Sequence, residues 1–350
     1  MILEEKAYPM KREQWLDALK GLAAIFVMIT HLYKDQTWFF VISGPIMLPL
    51  FFIITGYTFN RNRNVKDFLR VCIWKRLAVP LFCLSMAPLR VAKKIIVDRS
   101  LAGAWTYIVS LLSGKVLWYV YCSIFAMLIF YGIHRVATLC GEKGNTSMLL
   151  LCIAVATVGL VCVHFDILNI CRLNTACIVQ IFLLMGYYLK DKNLFADSGL
   201  MKKPWITIIA SVSAYIGLVV FTMLAFPGEY FDLNRNMYYS LPVVFAMIFV
   251  GNFALIQIAK RCKTIGILAY IGRNSLVYYA IHVLCFSATK ALFNIMNIHI
   301  GVKALEWVVM FLITVVACAF CAELVNRFAP FATGRGYIKQ QEKRNADIQY

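Results

Sequence analysis

Apolar runs of about 16–25 residues recur along almost the whole chain, separated by short polar connections. As an α-helix, a run of that length matches the hydrocarbon thickness of a bilayer. Lipid offers no water to the backbone, so each run must close its hydrogen bonds on itself. The sequence predicts about ten such spans: 16–33, 40–59, 72–92, 116–138, 148–165, 175–190, 205–226, 239–259, 272–296 and 305–327. Composition agrees. Of 350 residues, 61% are hydrophobic and 15% charged, and the mean hydropathy is +0.74. A soluble domain has no core large enough for that apolar surface. The expected fold is all-α, a polytopic transmembrane helical bundle. Pro80 and Pro88 predict a kink in the third run. Its continuation, Arg90 to Arg99, is basic and amphipathic and is expected to lie along the interface. Trp105 to Leu112 is too short to cross and is read as interfacial or re-entrant.

The formal net charge is +18. It is distributed between spans, which argues for topology signals rather than a nucleic-acid surface. Alternate connections hold Lys6, Lys11 and Arg12, then Arg61, Arg63, Lys66 and Arg70, then Lys190, Lys192, Lys202 and Lys203, then Lys260, Arg261 and Lys263. The last stretch adds Arg335, Lys339, Lys343 and Arg344, while the opposite connections carry one or two basic residues each. Both termini are therefore expected in the cytoplasm. Met1 to Glu13 is polar and leads into the first span without a cleavage pattern. The chain reads as one membrane-embedded domain, 1–350, with tails of about 1–15 and 328–350. The run Arg90, Lys93, Lys94 and Arg99 falls on the outer side under this topology. Either the topology differs there or the run is a functional cationic patch. Most of the 12 cysteines lie within spans, where Cys packs as a small apolar residue. Cys318 and Cys321 are read in that way rather than as a redox or metal pair, and no metal site is expected.

Three polar clusters interrupt the apolar runs. In the first span, Lys20 and His31 are 11 residues apart, which returns to nearly the same helix face about 16 Å further along. Asp17 shares that stripe. Ionisable groups on a membrane helix are costly unless they face a polar interior. His31 can act as a general base or as an interfacial histidine bonded to a loop. Asp17 suits a first turn, and Lys20 could snorkel to the headgroups. In the ninth span, Ser275, Tyr279 and His282 fall at i, i+4 and i+7 and share one face. They mark either a bundle-interior polar site or interhelical hydrogen bonds. The third cluster joins Phe51-Phe52-Ile53-Ile54-Thr55-Gly56-Tyr57 to Lys75-Arg76 at the mouth of span three. Gly56 would permit close helix approach. Lys75 and Arg76 are topology signals or a cationic lip for an anionic cytosolic ligand. Trp118 and Tyr119 are expected in an aromatic belt.

Together these elements resemble the acyltransferase-three family of polytopic membrane proteins. The matching features are Lys20 to His31 after the Leu16 to Gly21 stretch, Phe51 to Tyr57 in span two, and Gly272, Ser275, Leu276 and His282, with Tyr278 or Tyr279 as the aromatic. The resemblance covers nearly the whole chain. Two features depart from it. Where the family often has Arg-x-x-Arg before the span-three proline, apolar Cys72 and Ile73 precede Lys75-Arg76, so only Arg76 is in place. Lys20 replaces the commoner Arg, leaving a point charge without a bidentate fork.

The resemblance implies transfer of an acyl group, most often acetyl, from cytosolic acyl-CoA to a carbohydrate hydroxyl. It implies no permanently bound cofactor, with acetyl-CoA or another acyl-CoA as co-substrate. The acceptor would be a cell-surface glycan or its lipid-linked precursor, and the location a bacterial plasma membrane. His31 is then the expected catalytic residue. Asp17, Lys20 and Arg76 are expected at the acyl-donor end. No activated Ser or Cys accompanies His31, so direct transfer and an acyl-enzyme both stay open. The alternative function is a transporter or exporter of a polysaccharide or small polar solute, for which a polar stripe in a bundle is equally suited.

Overall fold

A computed structural model describes residues 13–32, 37–191, 204–261, 265–298 and 301–334. Among them the regular elements are helices, apart from an isolated bridge between Asp232 and Met237. α1 (Gln14–Leu32) and α2 (Thr37–Tyr57) pack side by side. α3 (Val65–Asp67), a π-helical stretch (Phe68–Ala78) and α4 (Val79–Leu84) follow as a continuous rod. α5 (Ala87–Ile96) and α6 (Leu101–Leu112) form a hairpin. Then come α7 (Trp118–Leu139), α8 (Gly144–His164), α9 (Leu173–Ile178), α10 (Gln180–Asp191), α11 (Pro204–Ala225) and α12 (Leu241–Arg261). The short α13 (Gly266–Arg273), α14 (Ser275–Ile295) and α15 (Lys303–Phe328) complete the bundle.

By length and composition, eight described helices can cross a membrane: α1, α2, α7, α8, α11, α12, α14 and α15. α9 and α10 make a ninth if taken as one span bent by 48°. The bend falls beside Gln180, which is fully buried and donates from Nε2 to the carbonyls of Ala176 (2.7 Å) and Ala126 (3.1 Å).

The third expected span, 72–92, is not one apolar helix. Its helix starts earlier, at Val65, and carries Lys66, Asp67, Arg70, Lys75 and Arg76, a polar load that separates it from the other spans. Its wide π turns end just before Val79-Pro80, where proline has no N–H and crowds the carbonyl of Arg76. The break comes at Ser85 and Met86, with Met86 left-handed at φ 51°. Pro88 sits in the first turn of α5, where a missing N–H costs nothing. α2 keeps two internal prolines without breaking. Pro49 strips the carbonyl of Pro45 of its helical donor. The fully buried Asn252 supplies another, its Nδ2 donating to Pro45 at 3.0 Å.

Chain order defines two faces. One gathers the start of α1, the end of α2 and the start of the 65–84 rod; it is called the Lys20 face. The other gathers the end of α1 with His31, the start of α7 with Trp118, the end of α8 and the 226–240 connection; it is called the His31 face. The α5–α6 hairpin leaves and rejoins the bundle on the His31 face, tied by Tyr107 Oη donating to Ser85 O at 3.0 Å. The Arg90–Arg99 run therefore shares a face with His31, and α5 is strongly amphipathic. Trp105 lies exposed on α6, the short helix expected at the interface.

Two apolar cores hold the part of the bundle around the site, and a third, small one joins α2, α11 and α12 around Met247. Of the first two, the larger joins α2, α7, α10 and α12 around Phe52, Phe130 and Phe182, and the smaller joins α1, α14 and α15 around Tyr278 and Cys318. Phe51 packs against both. Cys318 is fully buried among apolar neighbours.

Candidate active site

α1 and α13 meet through two glycines. A Cβ on Gly272 would overlap the Asp17 carbonyl, and one on Gly21 would overlap the Leu268 carbonyl. Only bare Cα atoms allow these backbones to touch. The contact sets Arg273 and Ser275 beside the start of α1. It also opens a chamber of about 240 Å³ at the seam of the two cores. Asp17, Lys20, Phe51, Thr55, Tyr119, Arg273, Ser275, Tyr279 and His282 line it. The two polar stripes expected on α1 and α14 therefore face one space. Gly56 makes the close approach expected of it, against the Leu183 carbonyl of α10.

His282 is 4% exposed. Its Nδ1 lies 2.9 Å from both the Tyr278 and Tyr279 carbonyls. Carbonyls only accept, so Nδ1 carries the proton and Nε2 keeps a lone pair. That Nε2 is buried and has no hydrogen-bond partner among the described residues. His31, half-buried in the last turn of α1, is not on the chamber wall. Its ring lies 4.7 Å from that of His282, the planes 60° apart. His31 thus meets the chamber through His282.

Tyr119, expected in an aromatic belt, points inward instead. Its ring packs against Phe51 (5.6 Å), Phe52 (5.2 Å) and Tyr279 (5.5 Å). Its backbone N–H, unsatisfied within the first turn of α7, donates to Tyr279 Oη at 3.1 Å. The Tyr279 hydroxyl hydrogen has no acceptor among the described residues.

A second cavity of about 200 Å³ adjoins the chamber towards the Lys20 face. The two share Lys20, Thr55 and Leu77 as walls. Arg63, Cys72 and Arg76 also line the second. Arg63 donates from Nη1 to Cys72 Sγ at 2.8 Å. Tyr131, stacked on Phe68 at 4.1 Å, fixes the connection by donating its Oη to the Arg63 carbonyl at 3.0 Å. Arg63 was legible only as a topology charge. The fold places it beside Arg76, where it supplies a second guanidinium that the 72–76 window lacks. Arg273, between Gly272 and Ser275 of the α14 motif, carried no expected role and is also on the chamber wall. Among the described residues no three His, Cys, Asp or Glu side chains converge as a metal-binding group.

The fold and chamber define a multi-pass membrane protein built around a buried polar cavity with cations towards one face and a histidine pair towards the other. The model of the Acyl_transf_3 acyltransferase domain matches residues 13–323, from the start of α1 into α15, and the chain belongs to this family of acyltransferases. No curated protein and no solved structure gave a match.

Proposed function

We propose that this membrane acyltransferase moves an acyl group, acetyl in the first instance, from cytosolic acyl-CoA to a hydroxyl of an extracytoplasmic or lipid-linked glycan. The observation that carries the reading is that the two cavities adjoin across Lys20, Thr55 and Leu77, with Arg63 and Arg76 on one side and His282, backed by His31, on the other. The guanidiniums suit the CoA phosphates as bidentate partners. The narrow chamber suits the pantetheine arm and thioester. Asp17 and Lys20 organise the donor end of the path.

In the transfer, the acceptor oxygen forms the new C–O bond and the thioester C–S bond breaks. The hydroxyl proton passes to the imidazole pair, with His31 as the base and His282 as the wall residue whose Nε2 keeps its lone pair. That proton leaves on the CoA thiol. The Tyr279 hydroxyl is the donor for the carbonyl oxygen as charge develops there. The protein lies in the bacterial plasma membrane with both termini inside, so the Lys20 face meets cytosolic acyl-CoA. The test is surface-glycan O-acetylation in cells carrying His31→Ala. Loss of acetylation with normal membrane insertion is the expected result, and retained acetylation removes His31 from the chemistry.

A further inference from the structure

A separate polar pocket of about 550 Å³ opens on the His31 face. It is walled by the turn before α7, the 163–174 connection and the 226–240 connection. Three cations line it, Lys115, Arg172 and Arg235, against one carboxylate, Asp166, which accepts from Asn169. Arg235 is partly neutralised by Asp232 at 3.5 Å. Lys115 and Arg172 have no carboxylate partner among the described residues. Arg172 instead donates to Asn234 Oδ1 at 3.2 Å and lies 5.9 Å from the Trp118 ring centre. Side-chain amides supply much of the remaining wall. Asn174, 1% exposed, donates to Asn169 Oδ1 at 2.7 Å, and Thr175 donates to Asn236 Oδ1 at 2.9 Å.

The backbone around this pocket is costly. Of nine described non-glycine residues with positive φ, five fall here: Asp166, Leu168, Cys171, Arg172 and Asn236. Such conformations cost of order 1–3 kcal/mol each and tend to persist at functional sites. The pocket lies near the chamber, across the start of α7. Arg172 contacts Trp118, and the next residue, Tyr119, lines the chamber against Tyr279.

We infer that this pocket binds an acidic saccharide, a sugar bearing a carboxylate or phosphate, and holds it for acyl transfer. Lys115 and Arg172, neither of which has a carboxylate partner among the described residues, recognise the anion. The amides match ring hydroxyls, which offer paired donors and acceptors. The volume is that of a small oligosaccharide site and far exceeds a bare anion. The inference rests on the acyltransfer reading for its role, while binding itself can be measured independently.

The test uses the full-length protein in lipid nanodiscs and isothermal titration with trigalacturonic acid, maltotriose and inorganic phosphate. Trigalacturonic acid is expected to bind at least about tenfold more tightly than either comparison ligand, and its affinity should fall with salt. Lys115→Gln and Arg172→Gln should each weaken it about tenfold, with acetyl-CoA binding and thermal midpoint unchanged. Lys115 is exposed, so that variant does not endanger folding. Equal binding of maltotriose, phosphate binding as tightly as the uronate, or wild-type affinity in the Lys115 variant would each overturn the inference. Acidic binding with no acyl-CoA consumed would leave the pocket standing and remove the acyltransfer reading. Acceptor-dependent CoA release with no acidic preference would do the reverse.

Discussion

The buried chamber and the pocket on the His31 face both hold charged and polar side chains, yet they are made of different material. Chamber residues come mainly from helices at spacings of three, four or seven. Pocket residues come mainly from connections, several of them held in left-handed backbone. The chamber carries imidazole and hydroxyl groups, suited to moving a proton. The pocket carries an excess of cations over carboxylates, with amides, suited to holding a ligand still. One region is arranged for chemistry and the other for recognition, and substitutions should separate them.

The largest effect is expected from the histidines. His31→Ala and His282→Ala should each lower acyl transfer by about 10²–10⁴-fold while acetyl-CoA still binds. The double variant should be little worse than either single if the rings act as a unit. Gly272→Leu should come next, since its side chain has nowhere to go but into the Asp17 carbonyl. Overpacking of this kind costs about 1–3 kcal/mol, read as a lowered thermal midpoint together with lost activity.

Arg63→Gln and Arg76→Gln should each raise KM for acyl-CoA about tenfold with kcat nearly unchanged, and their effects should be coupled in a double-mutant cycle. Simple additivity would show that the two guanidiniums do not share a ligand. Gly114→Ala should disturb only the pocket. Gly114 has φ +76°, and a Cβ there would lie 2.7 Å from Cys171 Cα. A loss of about 1 kcal/mol in stability and weaker trigalacturonate binding are expected, with CoA binding intact.

The smallest effect should come from the α5–α6 hairpin, which belongs to neither region. Lys94 bonds Asp98 at 2.8 Å and holds its carboxyl below the usual range. A depressed carboxyl stabilises above its unfolded pKa and loses that contribution as pH falls through the folded value. Asp98→Asn should therefore leave the thermal midpoint unmoved below the acid range, and at neutral pH the change should be hard to detect because the pair is exposed.

The same contrast explains what the sequence could disclose. Helix periodicity put Ser275, Tyr279 and His282 on one face and Lys20 on the His31 stripe, because spacing along a helix determines direction, but it left open whether those faces line a cavity. Gly56 was legible as a contact because small residues let helices approach. Arg63 was not, since a residue in a connection is positioned by distant partners, here Tyr131 and Cys72. Tyr119 looked like a belt residue because sequence gives its distance from the helix end but not its rotation. The third span was drawn too late at both ends, because a π-helical stretch and a left-handed Met86 leave no periodic signal. The pocket was invisible for the reason that makes it specific: three separate connections form it.

The most direct measurement is CoA release from labelled acetyl-CoA by the purified protein in lipid, with and without a crude extract of surface-glycan precursors. It should be run on wild type, His31→Ala and His282→Ala. Release that needs the extract and disappears in both variants is the expected result. Extract-dependent release that survives in both variants would contradict the histidine chemistry. No release from wild type, with no binding of acetyl-CoA, would contradict the donor path and make the chamber a conduction route.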